Sequence, residues 1–138
     1  MSDPFSIAGS AVGIISLGLH VCGEIVSFCQ AWQGFDEDIQ KIHQKANGLR
    51  MPLRYLKQLI EDFRTTDPMI ASDLEEKAKS IEQAIKRLKA ATDRYSSASD
   101  QASLRLKKAA YPFRKEALRD MASDLDSVQA VLNTALLV

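Results

Sequence analysis

The residues able to do chemistry are few and scattered. His20 is followed by Glu24, and His43 by Asn47, each four positions on. One His–Glu pair at helical spacing is an incomplete ligand set for a metal, which needs three or four convergent donors. Cys22 and Cys29 lie seven residues apart. On one helix their α-carbons are about 10 Å apart at ~1.5 Å per residue, beyond the roughly 7 Å a disulfide spans. They read as free thiols of a reducing compartment, and without a Cys-x-x-Cys pair there is no structural zinc signature. The chain has no Gly-x-Ser-x-Gly, no glycine-rich phosphate loop and no His-Glu-x-x-His. Glu75 with Lys79, and Glu82 with Lys86, read as i,i+4 pairs on a solvated helix face. The sequence predicts no catalytic centre, no metal and no cofactor, and so not an enzyme.

The elements around these residues are helical. The chain's 138 residues suit one domain. With 46% hydrophobic residues and four prolines, it has enough apolar material for a real core. Eighteen Lys+Arg balance eighteen Asp+Glu, so nucleic acid is not an expected partner. The first six residues carry Asp3 and no base, unlike a secretory or mitochondrial leader. Apolar residues recur in steps of three and four at Ile39, Ile42, Ala46, Leu49, Leu53, Leu56, Ile60 and Phe63. The same period runs through Leu74, Ala78, Ile81, Ile85 and Leu88, on to Tyr95 with Thr92 in the gap, and again through Leu118, Met121, Leu125, Val128, Leu132 and Ala135. Each stripe buries one face of a helix.

Punctuation sets the boundaries. Asp3-Pro4 and Asp67-Pro68 read as N-cap followed by the first helical residue, with Ser72 to Glu75 as an alternative capping box. Gly34 reads as a stop, the serines of residues 96–99 as a loop, and Pro112 as a break. The stripe keeps its phase through Gly48 and Pro52, as in one kinked helix. The expectation is a single all-α bundle over residues 1–138, with helices at about 4–33, 37–64, 69–95, 100–110 and 113–137. The uncharged C-terminal residues 134–138 suggest the N-terminal domain of a longer protein.

The first helix stands apart. Residues 4–23 contain no Asp, Glu, Lys or Arg. Ile7, Val12, Ile14, Ile15, Leu17, Leu19 and Val21 cover most of its circumference, and Gly9 and Gly13 form a Gly-x-x-x-Gly pair that lets helices approach closely in lipid. Such a helix belongs either at the centre of a bundle or in a membrane. Twenty residues reach about 30 Å, the thickness of a hydrocarbon core, and Glu24 falls just past that window. Near the other end of the chain Arg105, Lys107, Lys108, Arg114 and Lys115, with Arg119, enclose Tyr111 and Phe113. That stretch is either a solvated face or a patch for anionic lipid headgroups. Phe28, Trp32 and Phe35 are either interfacial anchors or the packed end of the helix.

The opening MSDPFSIAGSAVGIISLGL, then Trp32 with Phe35-Asp36, the Leu49/Leu53/Leu56 spacing and the basic Arg105-Leu-Lys-Lys before the last helix resemble the fungal HeLo-like domain, found at the N-termini of STAND and NLR-type proteins. The resemblance implies a cytoplasmic helical bundle that acts as a cell-death effector. A sensor or amyloid-signalling region elsewhere frees the N-terminal helix, which self-associates and permeabilises the plasma membrane, with membrane lipids as partner. On this view residues Ile7 to Val21 insert, and Glu24 has a regulatory role. The alternative is a soluble homotypic oligomerisation or adaptor domain whose first helix never leaves the core.

Overall fold

In the computed structural model the described residues are 10–32, 37–101 (backbone only from 95) and 115–136. They form five helices and no strand: α1 (Ala11–Ala31), α2 (Glu37–Thr66), α3 (Pro68–Ser80), α4 (Glu82–Gln101) and α5 (Lys115–Leu136). The fold class is all-α, as the period predicts. The number of helices agrees for a different reason than expected. The single helix expected over 69–95 is two, α3 and α4. The helix expected at 100–110 lies beyond the described residues, apart from the end of α4.

The break at Ile81 is invisible to the hydrophobic stripe, because Leu74, Ala78, Ile81, Ile85 and Leu88 are all buried and keep their phase across it. Local hydrogen bonding makes it. The Ser80 hydroxyl donates to the carbonyl of Lys77 at 2.6 Å, and the Ile81 N–H turns to the carbonyl of Ala78, three residues back. The turn tightens, and the next helix starts with the Ile85 N–H donating to the Ile81 carbonyl. The loop expected at residues 96–99 is helical instead. The serines there have only weak preferences, which a helix already running from Glu82 overrides.

Other boundaries follow their caps. Ser10 is extended, and its hydroxyl accepts from the Gly13 N–H at 3.0 Å. The described first helix therefore begins at Ala11 rather than at Pro4. The Asp3-Pro4 signal lies outside the described residues, as does Gly34. Asp67 caps α3 ahead of Pro68, accepting from the Ile70 N–H at 3.3 Å, so the Ser72 capping box is not used. α2 runs unbroken through Gly48 and Pro52.

Packing is a ring. α1 contacts α2, α4 and α3, and α5 contacts α2, α4 and α3. Among the described residues α1 and α5 do not meet, so they face each other across the core. Gly18 of α1 lies against both Leu53 of α2 and Ile85 of α4. Further along α1, Glu24 meets Lys89, four residues after Ile85, so α1 and α4 run in the same direction. One cluster of buried side chains fills the space between, from Ile14, Ile15 and Ile25 of α1 to Leu53 and Leu56 of α2, Ile85 of α4 and Val128 of α5. Trp32 is fully buried at the end of α1 and Phe28 nearly so, the packed-end alternative. Phe35 lies outside the described residues. Thr92, the one polar residue in the α4 stripe, is buried with its hydroxyl donating to the Leu88 carbonyl.

The helical glycines differ in what surrounds them. A β-carbon on Gly18 would stand 3.1 Å from Ile85 Cδ1, whereas one on Gly23 or Gly48 would meet nothing within 4 Å. Helix-interior glycine costs about 0.5–1 kcal/mol relative to alanine where there is room. Gly23→Ala and Gly48→Ala should therefore each stabilise the domain by about 0.4–1 kcal/mol in urea unfolding. Gly18→Leu should destabilise it by at least about 1–3 kcal/mol through overpacking.

Candidate functional site

The candidate site is the first helix and what holds it. Of the residues expected to insert into a membrane, Gly13, Ile14, Ile15 and Val21 are buried in the bundle, and Val12, Leu17 and Leu19 are half-buried along its flanks. Ile7 and Gly9 lie outside the described residues. α1 packs against α2, α4 and α3, with Ser10, His20, Ser27 and Gln30 exposed. By length and composition it is able to cross a membrane, with a mean hydropathy of 1.8, yet more than half of that apolar window is buried against α2, α3 and α4. The other helices present Lys, Arg, Asp and Glu outward. α1 presents none before Glu24.

In the bundle Gly13 is buried, and its N–H donates to the Ser10 hydroxyl.

Glu24 is the centre of the site's polar contacts. Its Oε1 lies 2.7 Å from His20 Nε2 and accepts from Lys89 Nζ on α4 at 3.2 Å. Lys89 Nζ also donates to Asp93 Oδ1 at 2.8 Å. Four side chains thus form a chain that ties α1 to α4. Glu24 and Lys89 are each about three-quarters covered or more, at 24% and 20% side-chain exposure. The Lys89 ammonium is held charged beyond its ordinary range, first by the hydrogen bond to Asp93, against burial, with Glu24 adding to it. The sequence displays His20 and Glu24 as neighbours. It does not display Lys89, because a partner 65 residues away leaves no local spacing.

Comparable ion pairs join other helices: Lys45 to Asp126 at 2.6 Å between α2 and α5, and Arg87 to Asp124 at 2.9 Å between α4 and α5. The expected Glu82–Lys86 pair forms at 3.0 Å. Glu75 instead reaches back to Arg64 on α2 at 3.4 Å. Of the candidate lipid patch, Lys115 is the exposed first residue of α5, with Arg119 exposed one turn on. Arg105, Lys107, Lys108 and Arg114 lie outside the described residues.

Cys22 and Cys29 are free and buried on the inner face of α1. Burial pushes both thiols up to about 12, with Arg50 of α2 opposing this at Cys22. At neutral pH neither is a thiolate, so neither is a nucleophile. Among the described residues no group of three or more His, Cys, Asp or Glu is placed to hold a metal ion.

Comparison with known proteins finds a distant relative. The azaphilone pigments biosynthesis cluster protein L of Monascus ruber is 29% identical over 127 residues, covering 86% of this chain and 27% of its own length. This chain therefore spans a minor part of that relative. No family model matches the chain, and no solved structure does.

The geometry makes Glu24 and Lys89 an interhelical pair whose loss is measurable. Glu24→Ala and Lys89→Ala should each destabilise the domain by about 1 kcal/mol, and the double variant by less than the sum. A double-mutant cycle in urea checks this. Lys89 is raised in the folded state, so its contribution is complete below the unfolded lysine's value and is lost only as pH climbs past about 10.5. Between about pH 7 and 9 the Lys89→Ala deficit should stay constant.

Proposed function

We propose that the chain is a HeLo-like signalling bundle whose output is latent membrane engagement by its N-terminal helix. No enzymatic chemistry enters this reading. The observation that carries it is the mismatch between α1's composition and its position. A helix with a solvent-facing side in a water-soluble bundle ordinarily places charges on that side. α1 instead keeps an uncharged surface from Ser10 to Gly23, with half-buried Val12, Leu17 and Leu19 beside the solvent. Its 21 residues reach about 31 Å, enough to cross a hydrocarbon core. The resemblance of the opening residues to the HeLo-like domain supports the same reading.

The energetics dictate that release is coupled. Ile14, Ile15, Val21, Ile25 and Phe28 are buried at 4% exposure or less. At about 1.5–3 kcal/mol each they hold α1 by on the order of 10 kcal/mol, which is comparable to the whole stability of a domain this size. α1 therefore stays docked until lipid or another copy receives those side chains. In this reading a sensor or amyloid-signalling region elsewhere supplies the trigger. Self-association and anionic lipid then complete the transfer at the plasma membrane, to which the cytoplasmic protein relocates. Arg105, Lys107, Lys108, Arg114 and Lys115 would gather headgroups, each worth about 1 kcal/mol near an anionic surface.

The same burial favours a second reading. With Ile15, Val21, Cys22 and Ile25 fully enclosed, α1 is a permanent part of the core, and the domain is a soluble oligomerisation or adaptor module.

Dye release from vesicles of phosphatidylcholine and phosphatidylserine separates the two. The membrane reading expects permeabilisation by the 138-residue chain. Lys89→Ala should raise the rate about three- to tenfold by removing the tether to α4, and binding should weaken as salt rises. If neither protein binds or permeabilises vesicles, while both self-associate in sedimentation, the adaptor reading stands and the membrane reading falls.

A further inference from the structure

Two adjoining stretches of the chain carry opposite charge. Residues 39–60 of α2 contain Lys41, Lys45, Arg50, Arg54 and Lys57 and no Asp or Glu. Residues 61–76, at the end of α2 and along α3, contain six acids and one base, Arg64. The formal charge of zero thus includes two blocks that cancel. Part of this charge is neutralised inside the bundle: Lys45 pairs with Asp126, Arg64 with Glu75, and Lys77 lies 4.0 Å from Asp73. Arg54 and Glu76 are exposed and take part in no ion pair among the described residues.

The large apolar side chains exposed among the described residues divide between the same two blocks. Met51 and Tyr55, at 72% and 55%, lie in the basic one, and Met69 and Ile70, at 83% and 42%, in the acidic one. A single exposed apolar residue needs no explanation. These are set on helix faces beside charge. Met51, Arg54 and Tyr55, at i, i+3 and i+4, share the outer face of α2, away from the buried Leu53 and Leu56. Met69, Asp73 and Glu76, at i, i+4 and i+7, share the outer face of α3, away from the buried Leu74 and Ala78. Gly48, three residues before Met51, is exposed with nothing within 4 Å of where a β-carbon would stand. No contact within the bundle requires a glycine there, and it leaves room for a partner to lie close.

We propose that these two faces bind each other between copies of the chain: the Met51–Tyr55 face of one copy docks on the Met69–Glu76 face of another. Charge complementarity selects the occupant. The basic face calls for an acidic surface with apolar side chains at its centre, and the protein itself presents one. Pairing two basic faces, or two acidic ones, sets like charges together and is disfavoured. The contact therefore joins unlike surfaces. It uses no residue of α1, so copies associate with α1 docked and the core closed. It goes beyond both readings above, each of which calls for self-association without naming a surface. The faces are one helix wide, the size of a transient contact, so half-association is expected on the order of 0.1–1 mM.

Sedimentation equilibrium of the 138-residue chain, over a range bracketing that concentration, tests the contact. The parent should associate, and less so as salt rises. Arg54→Glu and Glu76→Lys should each weaken association about tenfold, since each sets like charges face to face. Mixed in equal amounts, the two variants should associate again to within about threefold of the parent, because each reversed face meets its opposite on the other variant. Tyr55→Ser and Met69→Ser should each weaken association about threefold and leave its salt dependence in place. Circular dichroism checks that each exposed substitution leaves the bundle folded, and recovery on mixing is a result that misfolded chains do not give.

A parent that stays monomeric at the highest concentration overturns the proposal, as does a mixture no better associated than its components. Loss through Arg54→Glu with no effect of Glu76→Lys assigns the basic face to another occupant, such as anionic lipid, and also overturns it. Vesicle leakage bears on the membrane reading alone, so the two fail separately.

Discussion

Everything in this bundle depends on how closely α1 lies against α2 and α4. At Gly18 the space of a side chain is taken by Ile85 and Leu53. Around it Ile14, Ile15, Val21, Cys22 and Ile25 fill one side of the core. If α1 is taken away, the inner faces of α2 and α4 lose their cover together. α5 cannot replace it, because it lies across the ring. The helix that looks most suited to leaving is therefore also the one whose departure opens the core. Any function that uses α1 outside the bundle has to supply a receiving apolar surface at the same moment.

The polar tether acts on a different scale. The apolar face of α1 contributes on the order of 10 kcal/mol, while a partly covered ion pair contributes about 1 kcal/mol. Glu24 and Lys89 do not hold the helix in place by strength. They shift an equilibrium that burial dominates. Placing both His20 and Lys89 on one carboxylate oxygen lets a single charge be satisfied from inside α1 or from α4. Burial pushes the thiols of Cys22 and Cys29 nearby up to about 12.

Much of the fold was legible in the sequence because each helix buries one face. Every predicted stripe residue of α2 from Ile39 to Ile60, and of α5 from Leu118 to Leu132, is buried. Asp67-Pro68 starts a helix where a side-chain oxygen and a pre-set φ are both offered. What a stripe cannot register is a break that keeps its phase. Ile81 satisfies the apolar period and also ends a helix, so α3 and α4 read as one. The decision lies in hydrogen bonds from Ser80 and Ile81 to carbonyls three residues back.

The candidate site divides along the same line. Sequence alone determines that residues 4–23 carry no Asp, Glu, Lys or Arg, that His20 and Glu24 share a helix face, and that the cysteines are too far apart to bridge. These are properties of composition and of the 3.6-residue turn, which any helix obeys. Only the tertiary structure decides that α1 packs against α2, α3 and α4, that Gly13 and Gly18 face inward while Gly23 faces open space, and that Glu24 finds Lys89. These depend on which surfaces meet when the helices pack. Residues far apart in the chain come together there by burying apolar area that no single helix buries alone.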